Sequence, residues 1–126
     1  MKQFLSGRRR LVSLSLLCML GLLSACGGSS EEDGRVLIDG LGLSVNVDKS
    51  GLYDIEISGA RNEVSVAATS TVAKLLITGF NNTVRVKAGA SIQHIDFSGS
   101  GNTVYVPRGF KAKVSKAGAN NDVIEF

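Results

Sequence analysis

Two kinds of apolar pattern divide the chain. Residues 11–23 form an apolar run interrupted only by small residues, whereas from Val36 onward apolar and other residues alternate in short bursts. Alternation with a period of two is the mark of strands with one buried face. The bursts themselves recur. Segments 54–66, 74–86 and 94–106 overlay without a gap, repeating Gly59, Gly79 and Gly99, and then Asn62, Asn82 and Asn102. Their apolar positions align as Ile55, Leu75, Ile95; Ile57, Ile77, Phe97; Val64, Val84, Val104; and Val66, Val86, Val106. A weaker copy precedes them, with Val36, Ile38, Gly40, Val45 and Val47, and a partial copy follows, with Val114, Gly118, Asn121 and Val123. Residues 35–126 therefore read as one domain of five units with a period near 20 residues.

Each unit predicts two short strands joined by Gly-x-x-Asn, the two residue types that best tolerate positive φ at a tight turn. With about five inward side chains, a unit cannot build a core alone, but stacked units can share one. Two architectures satisfy the pattern. In a right-handed parallel β-solenoid each unit is a coil and equivalent strands pair about 4.8 Å apart; in an antiparallel β meander each Gly-x-x-Asn is a hairpin loop. Gapless spacing favours the all-β solenoid, because a coil of fixed circumference absorbs insertions less freely than a hairpin loop. Stacking would also set Asp54 beside Lys74 and Arg85 beside Tyr105, both attractive pairs.

The last unit departs from the rest. Lys116 stands where Ile57, Ile77 and Phe97 stood, and Glu125 where the valines stood. Inward charges on a terminal unit discourage edge-to-edge growth, and terminal repeats are commonly atypical. Lys116 and Glu125 are thus a candidate end-cap, while Gly40, Gly59, Gly79, Gly99 and Gly118 and Asn62, Asn82, Asn102 and Asn121 are expected to serve the turns. The repeat Ile-x-Gly-x-x-Asn-x-Val-x-Val, at 57–66, at 77–86 and with Phe97 leading the third copy, resembles a bacterial family of unknown function, the one numbered 3060. Leu43 departs from its Asn position. The resemblance implies a secreted or lipid-anchored repeat protein and supplies no activity.

The first 25 residues have a basic start (Lys2, Arg8, Arg9, Arg10), the apolar run and then Ser24 and Ala25 before Cys26. That is the layout of a removed secretory signal, and the run is shorter than the about 20 residues a membrane span needs. The quartet Leu23-Ser24-Ala25-Cys26 resembles the lipobox of bacterial lipoproteins. The resemblance implies cleavage before Cys26, acylation of that thiol, and contact with the membrane through its lipid. Lipid contributes about 0.8 kcal/mol per buried methylene, and two or more chains anchor stably. Gly27, where an Asp would mark retention, implies the outer membrane for a Gram-negative host. Residues 26–34 carry adjacent acids and no apolar run, and read as the lipidated Cys and a flexible tether.

The signal changes the meaning of the charge. The net +3 includes four of the fourteen Lys and Arg and none of the eleven Asp and Glu in residues 1–25. Without them the chain is close to neutral, which removes the prompt toward nucleic acid. Candidate chemistry is sparse. Asp54, Glu56, His94 and Asp96 lie outward on the first strand of their units, but stacking puts Lys74 between Asp54 and His94 and Leu76 between Glu56 and Asp96, diluting any acid pair of the kind glycoside chemistry requires. His94, the sole histidine, lacks the partners of a zinc site. No cofactor or metal is expected. The expectation is a non-enzymatic envelope protein with a structural or binding role toward an envelope protein or polysaccharide; the alternative is a small carbohydrate-active enzyme or carbohydrate-binding module.

Overall fold

A strand with one apolar face must cover that face, and here the strands of five coils cover one another in two facing sheets, with one further strand added at the first edge. The computed structural model describes residues 28–32 and 34–126. The strands are β1 (Gly28–Glu32), β2 (Arg35–Leu41), β3 (Ser44–Val47), β4 (Leu52–Ala60), β5 (Glu63–Val66), β6 (Thr71–Ile77), β7 (Thr83–Val86), β8 (Ser91–Phe97), β9 (Thr103–Val106), β10 (Lys113–Lys116) and β11 (Asp122–Glu125). One sheet has the order β1-β2-β4-β6-β8-β10 and the other β11-β9-β7-β5-β3. Strands consecutive within a unit never pair. β4 lies between β2 and β6, not against β5, and every pairing between units is parallel. This is the β-solenoid, of about five turns, and not the meander.

Register follows the repeat. Ile55 lies between Val36 and Leu75, Ile57 between Ile38 and Ile77, and Val64 between Val45 and Val84. The stacked aliphatic columns and Phe97 are almost fully buried between the sheets, joined by Tyr53, Val72 and Ile92 at the entrance of the first strand. The spacing is not a uniform 20. Val36 to Ile55 and Ile95 to Val114 are 19-residue steps, whereas the central units step by 20. The difference is absorbed by a bulge: Tyr53 pairs with Val72 but Asp54 with Lys74, leaving Ala73 as the extra residue. A bulge adds a residue without turning the flanking side chains from core to solvent.

The segment expected to be a flexible tether differs from that reading over Gly28–Glu32. These residues form β1, which pairs antiparallel with β2 from Gly28↔Asp39 to Glu32↔Arg35. The first edge of a parallel stack presents a row of backbone donors and acceptors, and satisfying them needs no apolar side chain. Gly34, at φ +67°, reverses the chain between the two strands, and Lys49 reaches Glu31 at 3.5 Å. Composition alone is blind to this kind of pairing. Cys26 and the signal segment lie outside the described residues.

Candidate functional site

Among the described residues, all but Ser70 of the buried polar side chains lie in the Gly-x-x-Asn turns, and their geometry assigns them to holding coils together. Asn62, Asn82, Asn102 and Asn121 are buried in one column. Each side-chain oxygen accepts the backbone N–H of the equivalent residue one coil earlier: Leu43 to Asn62 and Asn62 to Asn82 at 2.9 Å, Asn82 to Asn102 at 2.9 Å, and Asn102 to Asn121 at 3.1 Å. Each Nδ2 donates to the preceding coil's glycine carbonyl, from Asn62 to Gly40 at 3.1 Å through Asn121 to Gly99 at 2.8 Å. An Asn in the first coil would have no preceding coil to supply the backbone N–H and the glycine carbonyl that each of these four side chains uses. That accounts for Leu43, which instead packs against the core.

Of the two reasons the sequence offers for the turn asparagines, a positive φ or a hydrogen bond to the neighbouring coil, the structure shows the second, and positive φ falls for the most part elsewhere. It belongs to the residue before each ladder position: Gly42 (φ 69°), Arg61 (56°), Asn81 (56°), Gly101 (69°) and Asn120 (59°). The recurring glycines are there chiefly for close approach. A Cβ on Gly59, Gly79, Gly99 or Gly118 would overlap the carbonyl oxygen of the stacked glycine before it, Gly40, Gly59, Gly79 or Gly99. Only Gly59 and Gly118 among them also have positive φ, at 90°.

The outward face of the first sheet carries the titratable candidates. Arg35, Asp54, Lys74, His94 and Lys113 form one column, and Leu37, Glu56, Leu76, Asp96 and Ser115 the next. Asp54 and Glu56 are therefore neighbours on β4, whereas Lys74 and Leu76 separate them from His94 and Asp96. Ion pairing is diagonal: Arg35 to Glu56 at 3.6 Å and Lys74 to Asp96 at 3.9 Å. Asp54 and Lys74 are neighbours in register, as expected, yet Lys74 directs its amine to Asp96. Lys74, His94, Asp96 and Lys113 border a shallow recess of about 500 Å³. Among the described residues no group of three His, Cys, Asp or Glu is placed to hold a metal ion. At the carboxyl-terminal end Lys116 stacks on Phe97 and Glu125 on Val106. Both side chains reach solvent, and the Lys116 amine meets Asp122 at 3.3 Å, strapping one sheet to the other.

On the outward face of the second sheet, Arg85 stacks over Tyr105 with its guanidinium carbon 4.8 Å from the ring centroid. The period of 20 already places that pair together. Lys87 and Phe126, which border a recess of about 440 Å³ with them, were not legible as part of a site. Phe126 lies beyond the repeating apolar positions, and Lys87 sits at a corner where neither strand nor turn pattern assigns a direction.

No curated protein and no solved structure matches the chain. The profile of a family described as a protein of unknown function, DUF3060, matches residues 57–120, the stretch from the second coil's first strand to the last turn. Covering half of the sequence and all of the Gly and Asn ladders but Gly40 and Asn121, that match makes the chain a member of the DUF3060 family.

Proposed function

We propose that the chain is a lipid-anchored, non-enzymatic protein of a bacterial envelope whose solenoid has a structural or binding role. The observation that carries the reading is how the polar groups are used. Buried asparagines and glycines are committed to coil-to-coil contacts, and on the outward face of the first sheet Lys74 and Leu76 separate Asp54 and Glu56 from His94 and Asp96, with Glu56 and Asp96 drawn into ion pairs. Among the described residues the turns between strands are short, and none is a long loop of the kind that builds a reaction chamber on a scaffold. Anchoring is supported by Leu23-Ser24-Ala25-Cys26 after the apolar run. With β1 beginning at Gly28, only Gly27 separates Cys26 from a hydrogen-bonded strand. The lipid would then hold the first edge of the solenoid close to the bilayer, in the outer membrane of a Gram-negative host.

Fractionation of cells tests the anchor: the parent protein is expected with membranes and Cys26→Ala in the soluble fraction, and unchanged membrane attachment of that variant would refute it. Incubation with envelope polysaccharides and peptidoglycan fragments tests the rest. Turnover would establish an enzyme instead, whereas crosslinking to a partner without turnover is the expected result. A carbohydrate-binding module is the second reading, favoured by the Arg85–Tyr105 stack beside an exposed ring.

A further inference from the structure

One outward column of the second sheet runs Asn46, Ser65, Arg85, Tyr105 and Ile124, with its members about 4.8 Å apart. The recess beside Arg85 and Tyr105 is completed by Lys87 and Phe126. The Phe126 residue is 61% exposed, and its backbone is fixed by an N–H donated to the Val106 carbonyl at 2.9 Å. Ser65 and Lys87 also border a second recess of about 220 Å³ with Asn46 and Asp48. The two recesses therefore run on from each other along the stacking direction.

Three features restrict what fits there. The strands beneath are paired on both sides through β5 and β7, so an extended peptide finds no open backbone to pair with, and recognition must go through side chains. The ion pairs among the described residues use neither Arg85 nor Lys87, and the side chains bordering the larger recess include two cations and no acid, Asp48 standing in the smaller one beside Lys87. The exposed ring of Phe126 supplies an apolar face beside them. A pyranose ring bearing a carboxylate has the matching parts: a flat C–H face for the phenyl ring, an anion for Arg85 and Lys87, and hydroxyls for Ser65 and Asn46. Tyr105 acts through Arg85 as a positioning residue, because a stacked guanidinium has already given up much of the side-chain freedom that binding would otherwise remove.

The geometry points to this groove as a binding site for a short acidic oligosaccharide of uronate-type sugars, seated with one ring on Phe126 and its carboxylate on Arg85 and Lys87. The inference rests on the binding role proposed above and adds the place and the ligand class. Calorimetric titration of the full-chain protein, isolated from membranes in detergent, with a linear tetragalacturonate tests it, with cellotetraose and tetraglutamate as comparators. Tetragalacturonate is expected to bind, with cellotetraose at least about tenfold weaker once the cations lose their anion. Phe126→Ala and Arg85→Gln should each lower the affinity about 5- to 10-fold. Tyr105→Phe should keep it and Tyr105→Ser lower it by no more than Arg85→Gln does, all four variants retaining the parent's urea midpoint because they are outward.

Absence of tetragalacturonate binding overturns the inference, as does equal binding of tetraglutamate, which would make the groove a charge or peptide site. An unchanged affinity in Phe126→Ala overturns it too. The fractionation and crosslinking experiments do not involve the groove. A failed titration beside an intact anchor and a crosslinked partner would therefore remove this site and leave the proposed function standing.

Discussion

Asn82→Ala isolates the contribution of one rung of the asparagine ladder. The substitution removes an oxygen that accepts the Asn62 N–H at 2.9 Å and an amide that donates to the Gly59 carbonyl at 3.3 Å and to Asn102 Oδ1 at 3.1 Å. The two acceptors keep other donors, since Phe80 N–H reaches Gly59 and Asn82's own N–H reaches Asn102, both at 2.9 Å. The Asn62 N–H loses its acceptor inside a residue with no exposed surface. Leaving such a group unsatisfied costs about 1–3 kcal/mol, and the two amide bonds add about 1 kcal/mol together because both are long. The expected destabilisation is therefore about 2–4 kcal/mol, a large part of the roughly 5–15 kcal/mol typical of a domain.

Urea unfolding measures it. With a slope of about 1–3 kcal/mol per molar, the midpoint should fall by roughly 0.7–4 M. Thr83→Ala, one residue on and half-buried on the outer face, is the control and should stay within about 0.5 kcal/mol of the parent. Equal midpoints for the two variants would refute the ladder as a source of stability. Asn82→Asp gives a second readout. The introduced carboxylate still accepts from Asn62 but turns a negative charge toward the Gly59 carbonyl and Asn102 Oδ1, so folding raises its pKa above the unfolded value of about 3.9. A carboxyl raised in this way carries no ionisation penalty below the unfolded pKa, and the penalty grows as pH rises through the folded one. The stability deficit relative to the parent should shrink between pH 7 and pH 4, and a deficit independent of pH would count against the geometry.

Much of the fold was legible because a solenoid repeats its physics. Ile55, Leu75 and Ile95 share a column because each faces the same interior, and that shared environment is visible as a shared residue type. The physical role of Gly79 was less legible: glycine marks positive φ and close approach alike, and only the stacked Gly59 carbonyl distinguishes them. Leu43 looked like a defect in the motif until the direction of the asparagine bonds showed that the first coil has no earlier neighbour. Gly28–Glu32 was misread for a different reason. Its pairing is between backbones, and the acids at Glu31 and Glu32 that suggested a solvated tether are compatible with an edge strand. Of the groove, Arg85 and Tyr105 followed from the period, while Phe126 holds the corner position that Ala67, Lys87 and Pro107 hold in earlier coils, and those share no residue type that would reveal its direction.

Three further perturbations follow from the stacked geometry. Tyr53 Oη and Ser70 Oγ are buried without a hydrogen-bond partner, so Tyr53→Phe and Ser70→Ala, the latter matching Ala90 one coil on, should each raise stability by about 1 kcal/mol in urea unfolding; a loss of stability would show that the hydroxyls are satisfied. Gly79→Ala, which drives a methyl into the Gly59 carbonyl, should destabilise by more than about 3 kcal/mol or prevent soluble expression, because backbone on both sides has no room to yield; a midpoint like the parent's would mean that the coils slide apart freely. The last concerns the carboxyl-terminal end, where β10 and β11 each pair on one side only. Val114 and Ile124 are exposed there by 44% and 42%, an apolar lip beside open strand edges, and such edges pair with other chains unless something discourages it. Lys116 and Glu125 occupy the two inward positions that every earlier coil fills with an apolar residue, and a second molecule stacking on this end would have to bury both charges and break the Lys116–Asp122 pair at 3.3 Å. Replacing them together, Lys116→Ile with Glu125→Val, removes that desolvation penalty and continues the core to the edge. Sedimentation analysis should then show concentration-dependent association where the parent shows less, and a doubly substituted protein that stays monomeric at high concentration would mean that edge geometry, not inward charge, ends the stack.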